Sequence, residues 1–321
     1  MKCSFRFLSA LAVASALPLF CHAAPATSRL PSEDVSSPVV RLRQHLTPDA
    51  NLLFNGLGLS PAGTPVSIGD LPLKMVVAPD RKTVIAVCAG FKEVGVHVVG
   101  LAAPHKSQFI PLMETFNGLA FSPNGKKFYV AGGSKGLLYV FKYSHGKAKL
   151  ERTVRPNQDA KNVFLAGITV NSDGTLFVCN EANDEIWVLS PRDFSIERTI
   201  GTGQFPYTCL LGADGRNLYV SNWGSRSVTV IDTKTSKRVR DLAVGVRPND
   251  MALARDGRLF VACAGDNTVH VISTGTLEKA VLAPSPKRRV SESSREILST
   301  SLYPDSPEGS TPCAVAVSPD G

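Results

Sequence analysis

Six side chains offer the donors, acceptors and aromatic surface that recognition of a polar ligand uses: Lys74, Asn117, Tyr207, Arg247, Asn249 and Asp250. They lie at or beside the start of a motif that recurs in one register. Its copies are 72–81 (PLKMVVAPDR), 116–125 (FNGLAFSPNG), 165–174 (LAGITVNSDG), 206–215 (PYTCLLGADG), 248–257 (PNDMALARDG) and 312–321 (PCAVAVSPDG). Asn117, Tyr207 and Asn249 stand one residue past the motif's first position, and Asp250 stands two past it. Cys313 occupies the position that matches Asn117 and Asn249. Side chains drawn from one position of several repeats converge on whatever axis the repeats share. The same positions also serve as turn caps and as the lining of a wet channel, and the repeat alone puts them there.

Catalytic patterns are missing from this sequence. There is no HExxH, GxSxG or Walker motif. Gly201-Thr202-Gly203 lacks the following glycine of a dinucleotide loop. His45, His97, His105, His145 and His270 are scattered singly, and no CxxC or CxxCH spacing supports zinc or covalent haem. Cys88, Cys179, Cys209, Cys263 and Cys313 are an odd set, read as small buried hydrophobes with one pair left open as a disulfide. No catalytic residue, metal site or cofactor is assigned.

The elements that must carry these residues follow from the repeat. Copies recur roughly every 40–50 residues, a period typical of radial β-arrays. The fourth unit shows the pattern most plainly. Apolar 208–211 reads as a first strand, and Asp214-Gly215 supplies a tight turn. Strands follow at 218–220, 227–232 and 239–244, rich in β-formers. Four antiparallel strands per unit make a propeller blade. The fold class expected is all-β: about five blades and the first strand of a sixth, over 64–321.

Two places break the rhythm. Residues 64–70 resemble the outer strand of a blade and are expected to close a ring, since Ile68-Gly69 precedes Pro72 as Val244-Gly245 precedes Pro248. The marker spacing widens after Asp256, which points to an inserted loop over 284–311 with one short helical turn at 294–298.

Lys2 and Arg6 precede an apolar run over 7–20, followed by Ala23, Ala24 and Ala26. This is the pattern of a secretory signal peptide over 1–26, too short for a comfortable membrane span. A lipoprotein anchor on Cys21 is the alternative, and the bulky Phe20 argues against it. Residues 27–63 read as a flexible lead-in, polar and proline-containing over 27–38. A periplasmic or secreted protein without a transmembrane anchor after cleavage is expected. The net charge of +8 is a mild excess for 321 residues. Lys287-Arg288-Arg289 is the one tight basic cluster, short of the basic face that nucleic-acid binding uses.

Tyr219-Val220-Ser221-Asn222, followed by Val228-Thr229-Val230-Ile231-Asp232, resembles the repeat of the YVTN-type, YncE-like β-propellers. A looser copy is Leu176-Phe177-Val178-Cys179-Asn180 with Ile186-Trp187-Val188. The resemblance covers roughly 64–321. Cys88, Gly132 and Cys263 depart from it, standing where the family has Asn after the second strand. More narrowly, 57–70 (LGLSPAGTPVSIGD) and 303–312 (YPDSPEGSTP) resemble a bacterial subgroup in which an exported propeller of this type precedes a phosphoesterase of the alkaline phosphatase superfamily. This implies a ring of seven blades when complete, with its remainder and a phosphoesterase domain encoded beyond Gly321. The function expected is a non-catalytic scaffold for a protein or a small polar ligand. The alternative is a propeller hydrolase of lactonase type using a metal ion, for which Asp250 is the only acid at the aligned first-strand ends.

Overall fold

A computed structural model describes residues 66–274, 295–301 and 311–318. The expected signal peptide, the lead-in over 27–63 and most of the 284–311 insertion lie outside the described residues.

Five four-stranded antiparallel sheets follow one another along the chain, the blades of a propeller. Blade 1 comprises β1 (Pro72–Val77), β2 (Thr83–Ala89), β3 (Val94–Gly100) and β4 (Ser107–Pro111). Blade 2 comprises β5 (Leu119–Phe121), β6 (Lys127–Ala131), β7 (Leu138–Ser144) and β8 (Lys147–Val154). Blade 3 comprises β9 (Leu165–Val170), β10 (Leu176–Asn180), β11 (Glu185–Leu189) and β12 (Ile196–Gly201). Blade 4 comprises β13 (Pro206–Leu211), β14 (Asn217–Asn222), β15 (Ser227–Asp232) and β16 (Lys237–Ala243). Blade 5 comprises β17 (Pro248–Leu253), β18 (Arg258–Cys263), β19 (Thr268–Ser273) and β20 (Arg295–Ser299). The only helical element among the described residues is a 3-10 turn at Glu181–Asn183.

The motif's Asp or Asn marker works the same way in the first five copies. Its Oδ1 accepts the N–H two residues on: Lys82 to Asp80, Lys126 to Asn124, Thr175 to Asp173, Arg216 to Asp214 and Arg258 to Asp256, at 2.9–3.0 Å. This closes the turn between first and second strands. The next residue is left-handed, with φ of 67°, 91°, 70° and 83° at Gly125, Gly174, Gly215 and Gly257. Arg81 adopts φ 53° at the same place in blade 1 and carries the steric cost that glycine avoids.

Packing between blades follows the period-2 alternation of the second and third strands. Phe128 faces a core shared with blade 1, beside Ile85 and Val96, and stacks on Phe141 at 4.6 Å between ring centroids. Its neighbour Tyr129 faces blade 3, with Leu138, Trp187 and Phe194. Phe177 and Leu218 fill the junction of blades 3 and 4, and Tyr219 and Leu259 that of blades 4 and 5. Trp187 is core, as the repeat implied, and donates to Glu185 at 2.7 Å, whereas Trp223 sits in a turn outside the apolar clusters, with Arg247 over its ring.

Two features depart from expectation. Residues 295–299 form β20 rather than a helical turn, with Ile297 opposite His270 and Leu298 opposite Val269. Arg, Glu and Leu favour a helix locally, but β19 would otherwise present an unpaired edge, and sheet pairing prevails. The stretch read as one inserted loop therefore contains the fourth strand of blade 5. Residues 66–69 lie outside the five sheets, and the sixth copy over 311–318 carries no strand. Gly69 donates its N–H to Nε2 of His97, 3.0 Å away, and His97 stacks on Phe109. His97 is thus a buried, hydrogen-bonded strand histidine, its pKa lowered by burial against a smaller upward pull from Glu93.

One polar contact fastens blade 1 to blade 2. Tyr143 donates its hydroxyl to Asp80 Oδ2 at 2.6 Å. Burial, then the bond to Asp80, pushes the phenol up to about 12. The folded protein holds this proton more tightly than an unfolded tyrosine does, so the contribution is complete below pH ~10 and fades as pH rises toward about 12. Tyr143→Phe should lower stability at pH 8 by about 1 kcal/mol and flatten the loss between pH ~10 and about 12. Urea titrations at each pH check this, and parallel pH profiles for the two proteins would sink it.

On the outer face of blade 1, Met75 and Val77 are 62% and 57% exposed. An apolar sheet face in water promotes association. Static light scattering should show the apparent mass rising with concentration, and Met75→Lys with Val77→Thr should suppress that rise. A concentration-independent monomer would contradict the expectation.

Candidate ligand site at the inner strands

The first strands of successive blades touch one another, β1 to β5, β5 to β9, β9 to β13 and β13 to β17, so they are the innermost strands of the array. Lys74, Tyr207, Asn249 and Asp250 lie on first strands that open on a motif proline, and Arg247 immediately precedes one; Asn117 follows Phe116 instead. Leu71, Phe205, Arg247 and Thr311 all precede a motif proline, and all are left-handed, with φ of 51°, 53°, 53° and 41°. Proline crowds the residue before it, so this conformation costs of order 1–3 kcal/mol at each place. Backbone bonds hold three of them in place: the carbonyls of Leu71, Phe205 and Arg247 accept from Ala89, Trp223 and Ala264 at 2.9–3.0 Å. The sequence shows the prolines but not this bend.

Lys74 and Asp250 come together: Nζ lies 2.8 Å from Oδ1, joining β1 to β17. Asp250 Oδ2 also accepts the Val315 N–H at 3.3 Å. Asn117 and Tyr207 meet as well, the Asn117 amide donating to the Tyr207 carbonyl at 3.1 Å. Asn249 is held through its backbone, its carbonyl accepting from Ser221 Oγ at 3.0 Å. Arg247 is turned to another task, its guanidinium lying 4.9 Å from the Trp223 ring centroid. The structure thus joins four of the six candidates in two pairs, holds Asn249 against Ser221 and leaves Arg247 on an aromatic face.

The amide oxygens of Asn117 and Asn249 are buried without a hydrogen-bond partner among the described residues. A buried acceptor left unpaired costs about 1–3 kcal/mol and calls for a donor from water or ligand. Next to Asn117, Phe116 meets Phe164 edge-on at 4.8 Å and Tyr207 at 5.6 Å. Burial raises the Tyr207 phenol, with Glu181, Cys313 and Asp250 adding to the effect.

Glu181 is the residue that sequence reasoning missed. It opens the 3-10 turn after β10, and its N–H donates to the Phe164 carbonyl at 2.8 Å. Burial alone raises its carboxyl above the usual range. The signal available was an acid directly after Asn180 of the repeat. Asn180 is itself an anchor, accepting from Phe164 N and donating to Glu185 at 3.1 Å. Elsewhere, a cleft of about 330 Å³ lies between blades 2 and 3, lined by Ser122, Lys127, Tyr129, Asp173 and Phe194 among others, and none of the six candidates reaches it.

A divalent cation does not fit the described donors. No three His, Cys, Asp or Glu side chains stand together among the described residues, and the Lys74 ammonium already neutralises Asp250. No step through a metal ion is derived.

Residues 92–224 match the family model described as SMP-30/gluconolactonase/LRE-like region. Antigen Lp49 of Leptospira interrogans is 26% identical over 168 residues, which cover 45% of this chain and 35% of that protein. The chain therefore spans about a third of the length of that curated relative. Solved structures similar in fold include a protein from Lactobacillus plantarum (TM-score 0.53, 17% identity, 63% of this chain and 67% of that one). Hydrazine synthase of Kuenenia stuttgartiensis is another (TM-score 0.52, 20% identity, 67% and 66%). A functionally unknown protein from Desulfotomaculum acetoxidans is a third (TM-score 0.54, 15% identity, 65% and 67%). The chain is a β-propeller similar over residues 92–224 to the SMP-30/gluconolactonase/LRE-like proteins.

Proposed function

We propose that this chain is an exported, non-catalytic binding propeller of YncE-like type that takes a small polar ligand at its inner strands. The observation that carries this reading is that two of the inner-strand acceptors, Asn117 Oδ1 and Asn249 Oδ1, are buried and unpartnered among the described residues, Asn117 lying next to an aromatic group. The groups left over there are chiefly acceptors, the two amide oxygens and Glu181, since Lys74 is taken up by Asp250; the Tyr207 hydroxyl adds one donor. A ligand that donates hydrogen bonds and presents an apolar face answers that imbalance, a polyol or an organic amine. The scaffold would serve a larger protein, with further blades and a phosphoesterase domain in the same polypeptide, in the periplasm or outside the cell.

The match of 92–224 to the SMP-30/gluconolactonase/LRE-like region favours a second reading, a lactonase-type hydrolase with a metal ion. Calorimetry with calcium and with zinc, together with a lactone hydrolysis assay, separates the two. Micromolar metal binding with lactone turnover supports the hydrolase. A thermal shift with a polyol or amine that disappears in Asn249→Ala, without turnover, supports the binding scaffold.

Glu181→Gln tests the site from the side of stability. The folded-state pKa of Glu181 is raised by burial. Its favourable contribution is present below the unfolded value near 4.3 and is lost as pH rises through the raised one. At pH 7 the ionised carboxylate therefore weakens the fold, and the amide variant should melt higher than the parent while binding an amine ligand less well. Melting curves at pH 4 and pH 7 check this: the gain should be present at pH 7 and vanish at pH 4. A variant that melts lower at pH 7 would show that Glu181 is a structural partner.

A further inference from the structure

We propose that Cys179 and Cys209 form a disulfide that ties blade 3 to blade 4. Cys179 lies on β10 and Cys209 on β13, and both are buried in the apolar cluster that fills that junction. Gly167 sets their approach. A Cβ there would stand 2.7 Å from Thr208 Cα and 3.0 Å from Cys209 N, so β9 and β13 run in backbone contact beside the two thiols. Cys209 Sγ lies 3.5 Å from the carbonyl oxygen of Phe177, two residues before Cys179 on the same face of β10. The Cys209 thiol is also near enough to Cys179 to add to the upward shift of its pKa. Cys88 and Cys263 are also buried, but they belong to blades 1 and 5, and Cys313 is exposed.

Burial, with the contact to Cys209 second, pushes the Cys179 thiol well above its usual range. Few thiolates form in the closed junction, so the bond is made when blades 3 and 4 are apart, as the chain folds. The oxidant is a disulfide of the thiol-exchange class. One cysteine thiolate attacks it, giving a mixed disulfide and one released thiolate. The second cysteine thiolate attacks the mixed bond and releases the other. The two cysteine protons end on the two released thiols, and the two electrons reduce the incoming disulfide. The linkage constrains the unfolded chain and so favours the folded one.

The experiment refolds the full chain in glutathione redox buffer, quenches with acid and alkylates the thiols before and after reduction. Peptide mass mapping should show the segments carrying Cys179 and Cys209 joined, two hydrogens lighter than the free pair, with Cys88, Cys263 and Cys313 alkylated without reduction. The oxidised chain should melt higher than the reduced one, and Cys209→Ala should abolish the difference. If that variant does not fold, the map of the parent protein decides alone. Cys179 and Cys209 both free, or either one bonded to glutathione or to another cysteine, overturns the proposal.

Discussion

A blade with two apolar faces cannot stand in water, and the rest of the molecule follows from that constraint. Each second strand places alternate side chains on opposite faces, so Phe128 and Tyr129 belong to different cores, as do Phe177 and Val178, and Leu218 and Tyr219. Every interior blade is thereby held from both sides. Burying a phenylalanine-sized side chain contributes about 1.5–3 kcal/mol, and each junction buries several. Stability in such an array is a sum over neighbours rather than the property of one central core. Blade 1 shows the converse, since its outer face keeps Met75 and Val77 exposed.

Backbone chemistry at the two ends of each first strand differs in kind. At the turn into the second strand, an Asp or Asn oxygen and a left-handed residue make a relaxed, repeated hairpin. At the entry, the residue before the motif proline is forced left-handed in four copies. The relaxed end carries architecture. The strained end carries Asn249, whose amide oxygen lacks a partner among the described residues, whereas Asn117 belongs to a copy that opens on Phe116 without that bend. Strain of this sort persists only where surrounding contacts over-determine it, and the paired bonds from Trp223, Ala264 and Ala89 are such contacts.

The repeat made most of the fold legible. Asp214-Gly215 announced a turn that the structure contains, and the apolar runs around Tyr219 and Val230 announced the strands β14 and β15. The buried cysteines also followed from their strand positions. Residues 295–299 were misread because their local helix preference is opposed by a pairing partner twenty-odd residues earlier in the chain, which no local pattern displays. At the site, register predicted which side chains approach the axis but not how they pair. The contact of Lys74 with Asp250 joins the first and fifth blades. Glu181 stayed hidden because its significance lies in burial beside Phe164 and Tyr207, a tertiary property.

A repeat also separates architecture from specificity. Positions shared by all copies, such as the Asp or Asn marker, build the same hairpin everywhere and cannot discriminate a ligand. Discrimination has to come from positions that differ between copies. One residue past the motif's start the chain carries Leu73, Asn117, Ala166, Tyr207, Asn249 and Cys313 in turn. Polar groups thus cluster in blades 2, 4 and 5, while Ala166 lies fully within the junction core of blades 3 and 4. The charges are equally lopsided. Asp250 is answered by Lys74, whereas the shift of the Glu181 carboxyl is explained by burial alone. An unanswered carboxylate beside aromatic rings disfavours an anion and favours a neutral donor or a cation. The asymmetry of the copies, rather than their repetition, is what gives the inner strands a chemical preference.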